Sequence, residues 1–130
     1  MAVESGTGNL RAIHLTLTPE HEAFLAAVRE LEAALHDTLD SVRKMEDRTG
    51  EIIDSAAEGH PLRRTVPMEQ RPLLVQLLTQ TTELLQSSGN RVRTTEARAL
   101  YSEGMTMDQI AQLFGVSRQR VSTLLRNRAD

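Results

Sequence analysis

Apolar positions recur along the chain in two different rhythms, and the change between them divides it. Phe24, Val28, Leu31, Leu35, Thr38, Val42, Met45, Thr49, Ile52 and Ala56 are spaced alternately by four and three, a helical stripe held for about five heptads. Thr18-Pro19-Glu20 supplies its start. The Thr18 hydroxyl can accept unpaired backbone N–H groups, Pro19 has no N–H to leave unpaired at the first position, and Glu20 suits the positive end of the helix dipole. Gly59-His60-Pro61 marks the end, with Gly50 as a candidate break because glycine inside a helix costs about 1 kcal/mol. Unbroken, the helix is about 58 Å long. A short helix of the same chain cannot cover that length, so the pattern predicts a coiled-coil-like homodimer with Phe24, Val28, Leu31, Leu35 and Val42 at its interface. A helical hairpin within one chain is the competing arrangement.

A second apolar face follows. Leu73, Leu74, Leu77, Leu78, Thr81, Leu84 and Leu85 recur at i, i+3 and i+4, which predicts a helix over 67–87, with Pro67 and Pro72 competing for its first turn. Ser88-Gly89-Asn90 reads as its stop and as a linker. Ahead of the long helix, Ile13, Leu15 and Leu17 alternate with polar residues, the period of a short strand or of an arm docked on the helices. The expected organisation is a flexible arm at 1–17, a helical dimerisation region at 18–88 and a compact C-terminal unit at 89–130.

Composition narrows the picture. With two Phe, one Tyr and no Trp, the interior must be built from Leu, Val, Ile, Met and Ala, which favours helix packing, and an all-α fold is expected. There is no Cys, which removes disulfides and thiolate chemistry. His14, His21, His36 and His60 are scattered, and neither a phosphate-type glycine loop nor metal-ligand spacing is present. No enzyme activity, metal or cofactor is therefore expected. No apolar run approaches the roughly 18 residues of a membrane span and the N-terminus lacks a basic start before an apolar stretch, so a cytoplasmic protein is expected.

The formal net charge of −3 hides a split. Residues 1–60 carry five basic and twelve acidic side chains, whereas 61–130 carry ten basic and six acidic ones. A basic end on an acidic body suits a chain that meets phosphates only at its tail.

That tail has the second rhythm, short helices with sharp punctuation. Thr94 or Thr95 is read as the cap of a helix reaching Ser102, with Ala97, Leu100 and Tyr101 on its buried side, closed by Glu103-Gly104. Thr106-Met107-Asp108-Gln109 has the spacing of a capping box. Gly115 ends that helix, and Ser117 caps the next. A turn this tight needs a small residue where the helices nearly touch and one that tolerates positive φ at the corner, and Ala111 and Gly115 supply them. Ile110, Phe114, Val116, Val121 and Leu124 fall where apolar side chains should meet across the corner.

The stretch from Asp108 through Ala111, Gly115-Val116-Ser117 and Arg118-Gln119-Arg120-Val121 resembles the helix-turn-helix of region four of bacterial sigma factors, and is similar to the C-terminal DNA-binding helices of resolvases and invertases. The resemblance spans 95–128, and residues 1–90 resemble no family. It implies double-stranded DNA as partner, not recombination or sigma activity, with the helix at 117–126 in the major groove. At least one of Arg118 and Gln119 then reads base sequence, with Ser122, Thr123 and Arg126 along the same side. Ser117, Arg120, Arg126 and Arg128 hold phosphates, with Arg91, Arg93 and Arg98 as further candidates. Thr106 belongs to the same DNA-facing set. The function expected is a sequence-specific, homodimeric transcription regulator. The alternatives are an architectural nucleoid protein of low sequence preference, or an adaptor whose acidic helix recruits a protein partner.

Overall fold

The computed structural model describes residues 17–127. Among them there is no strand. The elements are α1 (Pro19–Ala57), a short α2 (Leu62–Thr65), a 3₁₀ turn (Val66–Met68), α3 (Leu74–Ser102), α4 (Met107–Phe114) and α5 (Arg118–Arg126). The all-α expectation holds. The strand-like alternation at Ile13 and Leu15, the rest of the arm up to Thr16, and Arg128 lie outside the described residues.

α1 starts as its sequence indicates, with the His21 backbone N–H donating to the Thr18 hydroxyl at 3.2 Å. It then runs 39 residues without a break at Gly50. Its burial differs from the expected stripe by one residue at every second position. Phe24, Leu31, Thr38, Met45 and Ile52 are half-buried. The alternate positions that the chain covers are Ala27, Ala34, Ser41, Arg48 and Ser55, each one residue before the expected Val28, Leu35, Val42, Thr49 and Ala56, all of which are exposed. Small residues stand at 27, 34 and 41, and the larger Val28, Leu35 and Val42 sit one helical step to the side.

α3 corrects the sequence reading twice. Its start is neither proline: Pro67 lies in the 3₁₀ turn, and the first helical residue is Leu74. There the Glu69 carboxylate accepts the Leu74 N–H at 3.0 Å and the Gln76 side chain accepts the Leu73 N–H at 2.8 Å, so two of the donors left over at the helix start are satisfied. Its end is not Ser88-Gly89-Asn90, which passes through as helix for a total of 29 residues. Thr94 and Thr95, read as caps, are instead buried within it. Thr95 satisfies its hydroxyl by donating back to the Arg91 carbonyl at 2.7 Å.

The chain falls into two compact units, Glu30–Gly89 and a second made of Met1–Arg29 with Asn90–Asp130. In the first, α1 from Glu30 onward, the connector and the start of α3 bury Ala34, Leu77 and Ser88. Arg48 is 5% exposed and donates its Nε–H to the Gln70 carbonyl at 3.3 Å, which ties the connector to α1. In the second unit, Ala97, Ile110, Ala111, Val121 and Leu124 form the buried cluster, with Leu100, Met105, Met107, Phe114 and Leu125 packed around it. Tyr101, expected on the buried side with Ala97, is exposed.

Candidate nucleic-acid interface

Three local devices build the site from α3 to α5. The first is the end of α3, where Gly104 takes φ +102° and the Met105 N–H bonds the Leu100 carbonyl at 3.1 Å, turning the chain sharply after Ser102. The second is a reciprocal cap. The Thr106 hydroxyl accepts the Gln109 N–H at 3.1 Å while the Gln109 side chain accepts the Thr106 N–H at 2.9 Å, so two donors that would otherwise lack partners are satisfied. The third is the corner itself. Gly115 sits at φ 68°, ψ 35°, a left-handed conformation that costs a residue with a Cβ about 1 to 2 kcal/mol. The following N–H, from Val116, reaches back to the Ala111 carbonyl at 3.0 Å. Ser117 then caps α5 by accepting the Arg120 N–H at 3.0 Å.

Only Gly115, Val116 and Ser117 separate α4 from α5, and the two helices are locked by what they bury. Ile110 and Val121 are fully covered, Leu124 is 2% exposed and Ala111 7%. Val116 differs: expected at the packed corner, it is 39% exposed. Its backbone is fixed by the turn bond, which leaves the side chain on the rim of an open cleft of about 170 Å³ lined by Val92, Arg93, Glu96, Phe114, Arg120 and Leu124.

With Val121 and Leu124 inward, helical geometry puts Gln119, Ser122 and Arg126 together on the outer face of α5, with Arg118 at its edge. Arg118, Gln119 and Arg126 are exposed and Ser122 is half-buried. Thr123 stands at the edge of this face, half-buried, donating its hydroxyl to the Gln119 carbonyl at 3.1 Å. Arg120, though exposed, is on the other side of the helix beside the cleft. Thr106 and Ser117 are exposed, each with its hydroxyl already engaged as a cap.

Two contacts in this unit carry no pattern that sequence reasoning recognises. Arg118 Nη1 lies 3.6 Å from an Asp108 carboxylate oxygen, joining the first turns of α5 and α4. His21 Nε2, at the start of α1, bonds the Glu103 carboxylate in the α3–α4 turn. Asp108 signals only a favourable helix start, and the His21 contact spans 82 positions.

Known proteins bear on one segment. A family described as the helix-turn-helix domain of resolvase matches residues 86–126. The match takes in the second part of α3 together with α4 and α5, so this segment is similar to the resolvase DNA-binding unit, and the similarity supports DNA as its partner. No curated protein and no solved structure matches the chain. No described helix is long and apolar enough to cross a membrane.

Proposed function

We propose that the protein is a sequence-reading DNA-binding regulator of transcription that acts as a homodimer, with α5 in the major groove. The observation that carries the reading is the face of α5. Arg118 and Gln119 stand exposed in its first turn, with Ser122 and Arg126 behind them, on a helix whose other side is held by Val121 and Leu124. Groove-entering helices contact base edges with their N-terminal residues, and Arg and Gln are the side chains that pair two-fold with guanine and adenine. Arg126, and Arg120 on the flank, are suited to phosphates, as are the exposed Arg93 and half-buried Arg91 and Arg98 of α3.

One such unit binds DNA weakly, and a second copy supplies the other half. Support for it comes from α1, where Leu35 is 48% exposed, Leu39 58% and Val42 41%. These residues occupy one side of a single helix, and a matching side from another copy would cover them. Two readers paired in this way would take half-sites about 34 Å apart or a multiple of that.

Selection of bound sequences from a pool of random duplexes, run beside a solution mass measurement, tests both parts. A recurring motif in two copies and a dimeric mass are the expected results. Recovery of unenriched sequence would leave a low-preference architectural role, and a monomer on one half-site would remove the dimer.

A further inference from the structure

Asp108 is the one carboxylate between Met105 and Asn127, on the part of the chain that the proposed reading brings to a polyanion. A lone acid there weakens attraction to every phosphate near it. Its position is specific: it lies in the first turn of α4, 3.6 Å from the guanidinium of Arg118, the first residue of α5. Both side chains are about two-thirds exposed, and an exposed pair at that separation contributes little to folding. The acid also suits the α4 dipole, but a role in the dipole alone does not require an arginine beside it.

We propose that Asp108 is a specificity-determining residue of the DNA-reading surface, acting through Arg118. The inference rests on the assignment of α5 to the major groove. Arg118 has five N–H donors in a fixed fork. The carboxylate, 3.6 Å away, attracts one side of that fork and orients the remainder toward the groove, where guanine O6 and N7 offer two acceptors. Where the sequence presents no such acceptors, the guanidinium stays with Asp108, the charge pair adds nothing to binding, and the carboxylate repels the groove. Without Asp108, Arg118 is free to swing to the nearest phosphate on any sequence. Discrimination thus comes from a repulsive group as well as an attractive one.

The test is a comparison of the selected duplex with a random duplex, across a salt series, for wild type, Asp108→Asn, Asp108→Glu, Arg118→Ala and the Asp108→Asn/Arg118→Ala double variant. Asp108→Asn should tighten random-duplex binding about threefold to tenfold and steepen its log–log salt slope by about 0.9, the increment for one added phosphate contact. The specific-to-random ratio should fall by about threefold or more. Asp108→Glu, which keeps the charge, should hold the ratio within about twofold. In the Arg118→Ala background Asp108→Asn should leave the ratio unchanged. Melting curves show that each variant is folded. If Asp108→Asn leaves the ratio unaltered, or lowers it equally without Arg118, the proposal is overturned while the assignment of α5 stands. A wild-type protein with no preference among duplexes overturns the assignment itself, and the proposal with it.

Discussion

His21 and Glu103 are joined side chain to side chain, Nε2 to carboxylate, although 82 positions separate them. The other ring nitrogen of His21, Nδ1, lies 3.3 Å from the Thr18 backbone N–H and 2.9 Å from its hydroxyl. An Nδ1 that accepts from the backbone leaves the proton on Nε2, the atom that donates to Glu103. One imidazole therefore completes the cap of α1 and fastens that helix start to the turn between α3 and α4.

Replacing His21 by Ala should remove both contacts and cost about 1 kcal/mol, most of it from the cap, since the glutamate side is exposed and such pairs are worth little. Glu103→Ala should cost less. A double-variant cycle read by urea unfolding should give a coupling below about 1 kcal/mol. A loss of several kcal/mol for Glu103→Ala alone would contradict the account.

The corner at Gly115 gives a prediction that depends on backbone alone. Nothing lies within 4 Å of where a Cβ would sit, and φ is +68°, so the penalty for a side chain is conformational and not steric. Gly115→Ala should destabilise the unit by about 1 to 2 kcal/mol, Gly115→Asn by less because Asn tolerates the left-handed region, and a β-branched residue by more. Thermal melts should rank Asn highest, then Ala, then the β-branched residue. Equal melting temperatures for Ala and glycine would show that the turn relaxes.

The capping residues and the corner were legible because they act locally: Thr106 with Gln109, Ser117 with Arg120 and Gly115 with Ala111 are each settled within five residues. The helix stop expected at Ser88-Gly89-Asn90 fails for the same reason. Those residue types break a helix when judged on their own neighbours, yet Ser88, Thr94 and Thr95 are buried in the folded chain, and tertiary packing outweighs propensity there. On α1 the large apolar residues define the stripe that the sequence presents, whereas Ala27 and Ala34 are the almost fully covered positions. Small residues leave a weak hydrophobic signal where close approach needs them most.

The core beneath the reading helix should be intolerant of truncation. Ile110 is 0% exposed and Leu124 2%, and cutting either to Ala should cost about 2 to 5 kcal/mol. Because these side chains hold α5 against α4, duplex binding should fall with the folded fraction and recover on cooling to the extent that folding does. Circular dichroism and binding measured on the same samples would show this. Full affinity in an unfolded population would be incompatible with it.

Arginines at the two ends of α5 should behave differently. Arg118→Ala is expected to lose about 1 to 3 kcal/mol on the preferred duplex and to relax preference at one base pair. Arg126→Ala should weaken all duplexes alike and reduce the salt slope by about 0.9. Titrations against the preferred duplex and single-base variants distinguish the two. Uniform weakening by Arg118→Ala would make it a phosphate contact and leave base reading to Gln119.

The exposed face of α1 sets the last expectation. Leu39 is 58% exposed in one chain, so Leu39→Glu should change the stability of an isolated chain by no more than about 0.5 kcal/mol. In a symmetric dimer the same residue is lost twice. At about 1.5 to 3 kcal/mol for each buried leucine the dimer would weaken by about 3 to 6 kcal/mol, or roughly two to four powers of ten in Kd. Light scattering at micromolar concentration should then give a dimeric mass for wild type and a monomeric mass for Leu39→Glu, with helicity retained. Affinity for a duplex with two half-sites should fall far more than affinity for a single half-site, because tethering of the second reader is what disappears. A wild-type chain that is monomeric at DNA-binding concentrations, or a Leu39→Glu variant of unchanged mass, would place the pairing surface elsewhere than on this face.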